Sequence, residues 1–317
     1  MKNVEKLLDN IYLIDGFDLN MKERTGTYVL AEKDLTIIET SSSPSVPYII
    51  KGLEELGYSP KDIKYIIVTH IHLDHAGGAG LLLQQCPDAK VVVHPKGKRH
   101  LADPTKLIAG ARAVYGEKFD SLFNPILPVP EEQLMVMNNE DTLTIGENCT
   151  LTFYDTPGHA NHHFSIYHSA VNGMFTGDTA GIFYTQLYKE GIEFYLPTTT
   201  PSNFDPDKMK QSINLYKSMN LDYIFFGHYG MSKNPAEVYQ QVTNWLLPFV
   251  DVTEKAYKKG TSLEEMIGLT TKGLFEKVSS YLDELKVPKK HEIYSVLQLD
   301  LEVCAMGLID YIHKKNK

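Results

Sequence analysis

The stretch VTHIHLDHAGG, residues 68–78, places three histidines and one aspartate within six consecutive positions. Imidazole nitrogens and carboxylate oxygens are the ligands by which proteins hold borderline divalent cations. His70 and His72 are two residues apart, so in extended backbone their side chains point the same way, toward one ion. Asp74 and His75 follow where a helix is predicted to begin, and we expect them to reach a second ion.

Three further residues of these chemical types each follow an apolar run. His159 comes after LTFYDTPG, Asp178 after GMFTG, and His228 after YIFFG. Ligands at strand ends can converge on one pocket that a rigid scaffold holds in place. The seven imidazole and carboxylate groups together suit two divalent ions better than one. Gly77 and Gly78 would let the backbone pass close to such a crowded centre.

Apolar and β-branched runs predict the strands that must position these residues. They are NIYLID, TYVLAEKDLTIIET (two strands around the turn EKD), KYIIVT, AKVVVHP, CTLTFYD, FSIYH, MFTGD and LDYIFFG. Helical spacing is predicted in VPYIIKGLEELG, which ends at Gly57, in GGAGLLLQQC and in DPDKMKQSINLYKSM. In the last of these, Asp205 is the expected N-cap and Pro206 the first helical residue. This alternation predicts a layered α/β domain.

The C-terminal part of the sequence changes character. From about residue 234 onward, PAEVYQQVTNWLLPFV, SLEEMIGLTTKGLFEKVSSYLDEL and HEIYSVLQLDLEVCAMGLIDYIHK all have helical apolar spacing. We predict an α/β domain over residues 1–233 and an all-helical subdomain or cap over residues 234–317. Residues 95–130 are irregular and predict a mostly helical insertion near the site.

Composition narrows the class of protein. A net charge of −9 over 317 residues disfavours a nucleic-acid binder, although a local basic patch stays compatible with it. The three cysteines (Cys86, Cys149 and Cys304) are widely spaced and form no CxxC pair, which fits a reducing compartment. No apolar run approaches the roughly 18 residues of a transmembrane helix, and the N-terminus lacks the apolar core of a signal peptide. We therefore expect a cytoplasmic protein.

The HxHxDH motif, followed in order by a distant His, an Asp and a His, resembles the signature of the metallo-β-lactamase superfamily. The resemblance covers roughly residues 10–230, and all seven signature positions are filled. It implies a four-layer αββα sandwich, in agreement with the strands and helices predicted above. It also implies the following ligands: His70, His72 and His159 for the first metal, Asp74, His75 and His228 for the second, and Asp178 bridging both.

The implied cofactor is a pair of divalent metal ions, with zinc expected first and iron or manganese as alternatives. Two such ions about 3.5–4 Å apart share a water and lower its pKa, which gives a hydroxide nucleophile at neutral pH. Asp74, a ligand beside that hydroxide, is the expected catalytic residue. It would hold the proton and pass it toward the leaving group.

At several positions this sequence differs from known branches of the superfamily, and these differences narrow the range of expected activities. Zinc β-lactamases have no bridging aspartate at the position of Asp178. Glyoxalase II and the persulfide dioxygenases carry a Gly-Arg stretch after that aspartate, whereas GDTAGIFYTQLYKEG contains no arginine. Flavodiiron proteins have glutamate in place of His72. Lactonases often have tyrosine three residues after the aspartate, where this chain has Gly181, and Tyr184 or Tyr188 could line the pocket instead.

The favoured function is hydrolysis of an ester-like small molecule, namely a thioester, a lactone or a simple ester. One alternative is a mononuclear iron enzyme of the sulfur-dioxygenase type, which would use a subset of ligands such as His70 and His72. A phosphodiesterase or nuclease is a weaker alternative because the chain is acidic. The expected partner is the small-molecule substrate, with neither nucleic acid nor membrane. The C-terminal helices either wall the pocket or form a homodimer interface.

The other histidines are predicted to lie outside the metal set. His162 and His163 adjoin His159 in sequence and either orient it or pack in the interior. His94 and His100 are predicted to be structural. His168, His291 and His313 are predicted to lie on the surface or in helices.

Overall fold

The computed structural model describes residues 3–317. These residues form two compact units. Unit 1 runs up to Thr156 and also contains His162–Gly177 and Leu221–Asn234, whereas unit 2 contains Pro157–Asn161, Asp178–Asn220 and Pro235–Lys317. The units describe where contacts are densest, so the predicted division into domains at residue 234 stays a prediction.

The strands in chain order are as follows: β1 Val4–Leu8, β2 Ile11–Asp15, β3 Gly26–Leu30, β4 Thr36–Ile38, β5 Tyr65–Ile67, β6 Lys90–Val93, β7 Leu134–Val136, β8 Thr142–Gly146, β9 Cys149–Asp155, β10 Phe164–His168, β11 Gly173–Phe175, β12 Ile182–Phe183, β13 Tyr195–Leu196, β14 Tyr223–Phe225 and β15 Met231–Ser232.

The helices in chain order are as follows: α1 Val46–Glu55, α2 Leu73–Ala76, α3 Ala79–Leu83, α4 Lys98–Ala102, α5 Thr105–Tyr115, α6 Phe119–Phe123, α7 Thr185–Tyr188, α8 Pro206–Ser218, α9 Pro235–Lys259, α10 Leu263–Glu284 and α11 Ile293–Lys315.

The first sheet of unit 1 has the order β1-β2-β3-β4-β5-β6-β7. Strands β1 to β4 pair antiparallel, and β4 to β7 pair parallel. The parallel strands β5 and β6 are almost wholly buried, which is why their sequences YII and KVVV are near-continuous apolar runs. The edge strand β1, VEKLL, was not predicted because its residues are half-buried or exposed and include charges.

The second sheet of unit 1 has the order β15-β14-β11-β10-β9-β8. An apolar core lies between the two sheets and includes Tyr28 from β3 together with Phe153, Phe175 and Phe225 from the second sheet. The Tyr28 ring packs edge-on against Phe175 at a centroid distance of 5.0 Å. Aromatic pairs of this kind stabilise a packed core beyond their buried area, so the two sheets are firmly joined.

A second apolar core covers the other face of the first sheet. Ile49 and Leu53 of α1 and Leu82 of α3 join Ile37 of β4 and Val91 of β6 there. The helix α1 ends at Glu55, two residues before the end predicted at Gly57. Gly57 has a left-handed φ of +85°, as is typical of a glycine that follows a helix.

The segment between β6 and β7 forms the predicted helical insertion, with α4, α5 and α6. Phe119 and Phe123 of α6 are buried against Leu73, and Leu107 and Ile108 of α5 pack at the edge of this cluster. Because Leu73 is the residue between His72 and Asp74, the insertion packs directly on the histidine segment.

Unit 2 contains the helical C-terminal region that the sequence predicts, α9 to α11. Trp245 of α9 packs edge-on against Tyr281 of α10 at 5.5 Å. In α8 the capping residue is as expected: the carboxylate of Asp205 accepts hydrogen bonds from the backbone N–H groups of Asp207 and Lys208 at 3.1 Å each.

Among residues 3–317, no helix has both the length and the apolar character that a bilayer span requires. The expectation of a cytoplasmic location stays a prediction.

The prediction for His168 was wrong. His168 is the last residue of β10 and is 2% exposed, with a ring nitrogen 3.2 Å from the Cys149 sulfur. Burial lowers the pKa of His168 to about 4, because the charged imidazolium would lose its hydration. The strand alternation explains the position, since residues 164, 166 and 168 share one face and the first two are Phe and Ile of the core.

This burial predicts a pH dependence of stability. An unfolded chain protonates His168 below about pH 6.5, whereas the folded chain does so only near pH 4. The unfolded state therefore binds more protons across this window, and the free energy of unfolding falls by up to about 3 kcal/mol as the pH decreases through it. Urea unfolding of the wild type and of His168→Gln at several pH values in this window gives the free energy of unfolding of each protein. The two proteins are then compared by how steeply that free energy changes with pH.

His168→Gln should flatten the profile, whereas His313→Gln, at an exposed residue of α11, should leave it unchanged. Comparing each variant with the wild type cancels the titration of groups that all three proteins share. Identical profiles for wild type and His168→Gln would contradict the assignment.

Candidate metal centre

The histidine segment begins just after β5 and ends in α2. His72 has extended backbone (φ −63°, ψ 150°) and is the N-cap of α2, whose first turn contains Asp74 and His75. The segment therefore divides with His70 and His72, one pair of candidate ligands, before the helix and with Asp74 and His75, the other pair, within it.

Close backbone contacts fix this segment against the end of β4. The His75 carbonyl oxygen accepts from the backbone N–H of Thr40 at 2.8 Å and from its hydroxyl at 2.9 Å. A Cβ atom on Gly78 would lie 2.7 Å from the Thr40 carbonyl oxygen. Only glycine permits this approach, as expected for the second glycine of the segment.

Asp74, His75 and His228 form one compact group, the Asp74 group, whose ligand atoms all lie within 4.8 Å of one another. The Asp74 Oδ2 atom is 3.6 Å from His75 Nε2 and 3.7 Å from His228 Nε2. The side chains of His75 and His228 are 0% and 5% exposed, whereas that of Asp74 is 27% exposed. The group therefore opens to solvent on the side of Asp74.

The loop after β14 positions His228. The Tyr28 hydroxyl lies 2.7 Å from the carbonyl oxygens of both Phe226 and Gly230, which flank His228 in sequence. The N–H of Gly227 donates to the Gly177 carbonyl oxygen at 3.1 Å. A tyrosine from one sheet thus fixes the ligand loop at the end of the other.

His70 and His72 lie side by side, with ring centroids 4.5 Å apart and ring planes at 89°. Their neighbours in unit 1 include the two histidines whose role the sequence left open. The His162 ring is 5.2 Å from that of His72, and the buried His163 ring is 5.1 Å from that of His70. The His163 Nδ1 atom is 3.0 Å from the Thr156 hydroxyl.

In unit 2, His159 and Asp178 form a second pair of predicted ligands. The His159 Nε2 atom is 3.5 Å from Asp178 Oδ2, and both side chains are buried. The His159 Nδ1 atom is 3.2 Å from the Thr198 carbonyl oxygen, which requires Nδ1 to carry the proton and leaves Nε2 as an acceptor facing Asp178. Gly158 has φ of +140°, and a Cβ there would lie 2.4 Å from the Met209 Cα, so glycine is required before His159.

These separations suit metal coordination. An ion with ligand bonds of about 2.0–2.1 Å in tetrahedral geometry has ligand–ligand edges of roughly 3.3–3.4 Å. The three nitrogen–oxygen distances of 3.5–3.7 Å approach that value and exceed the ordinary hydrogen-bond range. Imidazole and carboxylate donors are also the types that zinc, iron and manganese accept. The residues present therefore fit a divalent metal.

A buried carboxylate that the sequence analysis missed orients two of the ligands. The Thr69 hydroxyl donates to Glu39 Oε1 and lies 3.0 Å from His70 Nδ1. The same Glu39 oxygen is 3.6 Å from His75 Nδ1. Because the Thr69 proton goes to Glu39, the hydroxyl oxygen accepts from His70 Nδ1–H, which leaves the His70 Nε2 atom for a metal.

Glu39 also lies close enough to His70 and His75 to form a ligand group of its own. We assign it the orienting role because its Oε1 atom accepts from both the hydroxyl and the backbone N–H of Thr69. Its backbone is left-handed, with φ of +68°, which is unfavourable for a non-glycine residue. A signal for this residue exists in the sequence, since LTIIE is again an apolar strand followed by a metal-type side chain.

The two tyrosines considered from the sequence have different surroundings. Tyr184 is buried and its hydroxyl donates to Asp300 Oδ2 at 3.1 Å, so it packs within unit 2. Tyr188 is 47% exposed.

His94 is buried with its Nε2 atom 3.2 Å from Asp155 Oδ1, and burial lowers its pKa.

Comparison with known proteins identifies the family. Residues 24–228 match the family model described as the metallo-beta-lactamase superfamily. The chain belongs to the metallo-β-lactamase superfamily. The match spans Glu39, the histidine segment, His159, Asp178 and His228, and it makes the chain a metallohydrolase of this superfamily with the predicted αββα fold class.

Similar proteins with curated descriptions support the same conclusion. The metallo-beta-lactamase fold-containing protein ST1585 of Sulfurisphaera tokodaii is 24% identical over 224 residues, which cover 70% of this chain and 78% of that protein. The N-acyl homoserine lactonase AttM of Rhizobium radiobacter is 27% identical over 179 residues, which cover 56% of this chain and 63% of the lactonase.

Solved structures confirm the fold. The ST1585 crystal structure covers 94% of this chain and 98% of its own, with a TM-score of 0.65 and 20% identity. The metallo-beta-lactamase family protein TTHA1429 from Thermus thermophilus covers 98% of this chain and 95% of its own, with a TM-score of 0.68 and 16% identity.

The orienting role of Thr69 predicts that Thr69→Val weakens metal binding. The substitution preserves the shape of the side chain but removes the hydroxyl between Glu39 and His70. We expect the affinity for Zn²⁺ to fall by about 10- to 100-fold, measured by competition with a chromophoric chelator.

The matched control is Thr27→Val, at a buried threonine of β3 whose hydroxyl has no hydrogen-bond partner among the described residues. It makes the same chemical change without touching His70. An equal loss of affinity in both variants would show that Thr69 has no special role.

Proposed function

We propose that the chain hydrolyses the carbonyl ester bond of a small molecule, in the form of a thioester, a lactone or a simple ester, with two divalent metal ions. His70, His72 and His159 would hold the first ion, Asp74, His75 and His228 would hold the second, and Asp178 would contribute its carboxylate to both. The Asp74 group carries this proposal, because its nitrogen–oxygen distances of 3.6 and 3.7 Å are those of ligands around one ion. The order of the seven residues along the chain supports the roles proposed for the other four residues.

When bound, such cations lower the pKa of a coordinated water and polarise the carbonyl oxygen of the substrate. The protein supplies the positions of the groups. His75 and His228 are buried, and hydrogen bonds from Thr40 and Tyr28 to the backbone at or near them position their imidazoles. Pre-organised groups of this kind lower the barrier because they need no rearrangement as charge develops.

Asp74 is the residue that we assign to proton transfer. Its carboxylate is the most exposed member of its group, at 27%. A substrate that approaches from solvent therefore meets Asp74 before the two imidazoles. From this position the carboxylate can take a proton from the attacking water and deliver it to the leaving oxygen or sulfur.

The similarity to AttM supports lactones within this class, because AttM is described as an N-acyl homoserine lactonase. Zinc is the metal that we propose, since imidazole and carboxylate ligands in four- or five-coordinate sites suit it. The acidic charge of the chain, −9, supports a small-molecule substrate rather than nucleic acid.

The two-metal proposal predicts the metal content of the protein. Chelated and reconstituted wild type should bind two Zn²⁺ per chain, and Asp178→Ala should bind fewer and lose at least about 100-fold in kcat/KM. Equilibrium dialysis followed by elemental analysis measures the stoichiometry.

Asp251→Ala is the control, because it removes an exposed aspartate of α9 in the same unit. It should keep two ions and full activity. A single ion per wild-type chain, or an unchanged content in Asp178→Ala, would contradict the two-metal proposal.

The reaction class predicts a substrate profile. The zinc-loaded enzyme should hydrolyse model thioesters, lactones or aryl esters, lose that activity with a chelator, and regain it with added Zn²⁺. Activity on bis-para-nitrophenyl phosphate, assayed in parallel, should be much lower. A preference for the phosphodiester would instead establish the nuclease alternative.

A further inference from the structure

The loop between β2 and β3, residues 16–24, has an unusual backbone. Four of its non-glycine residues have left-handed φ values between 48° and 60°: Phe17, Leu19, Asn20 and Glu23. Side chains disfavour this conformation, so the surroundings must impose it. The carboxylate of Asp15 does so by accepting from the N–H groups of Phe17 at 2.9 Å and Glu23 at 3.0 Å.

The result of this conformation is the burial of one carboxylate. Asp18 is 2% exposed, whereas the other residues from 17 to 24 are half-buried or exposed. Its Oδ1 atom accepts from the Ser42 hydroxyl at 2.5 Å. Its Oδ2 atom is also buried and makes no hydrogen bond among the described residues. An acceptor left in this state costs free energy unless another molecule satisfies it.

Asp18 lies in the electrostatic field of the Asp74 group. Burial and the charge of Asp74 together raise its pKa to about 6, while the hydrogen bond from Ser42 and the charges of Arg24 and His228 oppose the rise. Yet among residues 3–317 none of the compact ligand groups includes Asp18. Hydrogen bonds connect Asp18 to the histidine segment: its partner Ser42 adjoins Ser43, whose hydroxyl donates to the Gly77 carbonyl oxygen at 2.9 Å. Its carboxylate thus lies beside the segment that carries Asp74 and His75 but is not placed as one of the candidate ligands.

We propose that Asp18 is a specificity-determining residue whose buried Oδ2 atom accepts a hydrogen bond from a hydroxyl or N–H group next to the scissile carbonyl of the substrate. The inference rests on the proposed function, since it assigns the reacting carbonyl to the Asp74 group. It narrows the substrate class to esters, thioesters or lactones that carry such a donor on the carbon beside the carbonyl.

Charge supports the same class. Asp74 acts on Asp18 as a like charge, and the opposing charges of Arg24 and His228 do not cancel its raised pKa. An anionic substituent beside these two carboxylates would be repelled. A neutral donor instead satisfies the buried acceptor, and a hydrogen bond to a charged acceptor is stronger than one between neutral groups. Sites built around a buried polar group discriminate strongly against analogues that lack the matching donor.

A pair of lactones tests the proposal. α-Hydroxy-γ-butyrolactone has the donor, whereas α-methoxy-γ-butyrolactone keeps the oxygen but cannot donate. The zinc-loaded wild type should favour the hydroxy compound by about 10- to 100-fold in kcat/KM. Asp18→Ala should abolish the preference, and the isosteric Asp18→Asn, which keeps one acceptor oxygen without the charge, should give an intermediate ratio.

Two further variants serve as references. Asp9→Asn removes a carboxylate that is exposed in the turn before β2, and it should keep the wild-type ratio. Ser42→Ala removes the hydroxyl that holds Asp18 and should reduce the ratio in part. If neither Asp18 variant folds, the ratio measured for Ser42→Ala tests the proposal instead.

A binding measurement separates this proposal from that of hydrolysis. The ketones 2-hydroxycyclopentanone and 2-methoxycyclopentanone cannot be hydrolysed, and ligand-observed NMR gives their dissociation constants for each zinc-loaded variant. If no lactone or ester is turned over but the hydroxy ketone binds more tightly only when Asp18 is present, the hydrolase proposal fails and the role of Asp18 stands.

Equal binding of the two ketones by the wild type would overturn the role of Asp18. So would a hydroxy-to-methoxy ratio in kcat/KM that Asp18→Ala leaves unchanged. In either case hydrolysis of simple esters by the zinc-loaded enzyme would still support the proposed function, so the two failures are distinguishable.

Discussion

The structure depends on one electrostatic constraint: carboxylates and imidazoles must remain close together inside a folded protein. Asp74 holds an oxygen 3.6 and 3.7 Å from two imidazole nitrogens, and Asp178 lies 3.5 Å from His159. Removing a carboxylate from water is costly unless a positive charge or hydrogen bonds compensate it. A bound cation would provide that compensation, and metal binding would then be coupled to the stability of the loops that carry the candidate ligands.

Much of the fold can be understood as the support for these positions. The candidate ligands follow the ends of buried strands, and short backbone contacts hold the loops that carry them. Thr40 holds the His75 carbonyl group, and Tyr28 holds the carbonyl groups on either side of His228. Glu39 and Thr69 then set which nitrogen of His70 carries a proton. Thus Thr40 and Tyr28 hold the backbone near the candidate ligands, and Glu39 and Thr69 determine the orientation of the His70 ring and the position of its proton.

The sequence predicts the parts of this arrangement that depend on local chemistry. The strand-end ligands, the Asp205 cap and the C-terminal helices follow from residue type and spacing over a few positions. The roles of Glu39 and Asp18 do not, because each depends on residues about 24 to 36 positions away. The left-handed backbone that buries Asp18 has no glycine to mark it. The sequence analysis placed His168 on the surface or in a helix, although the alternation of side chains along FSIYH puts it on the same buried face as Phe164 and Ile166.

The packing of Phe119 and Phe123 on Leu73 links a surface insertion to the ligand helix α2. Leu73 itself binds nothing in the proposed centre, yet it stands between two ligands. Changes in the length or sequence of the insertion can therefore reach the histidine segment through Leu73, and also through Gly97, whose backbone closely approaches Ile71 between His70 and His72. A change in the insertion would thus shift the positions of the candidate ligands without any change in their identity.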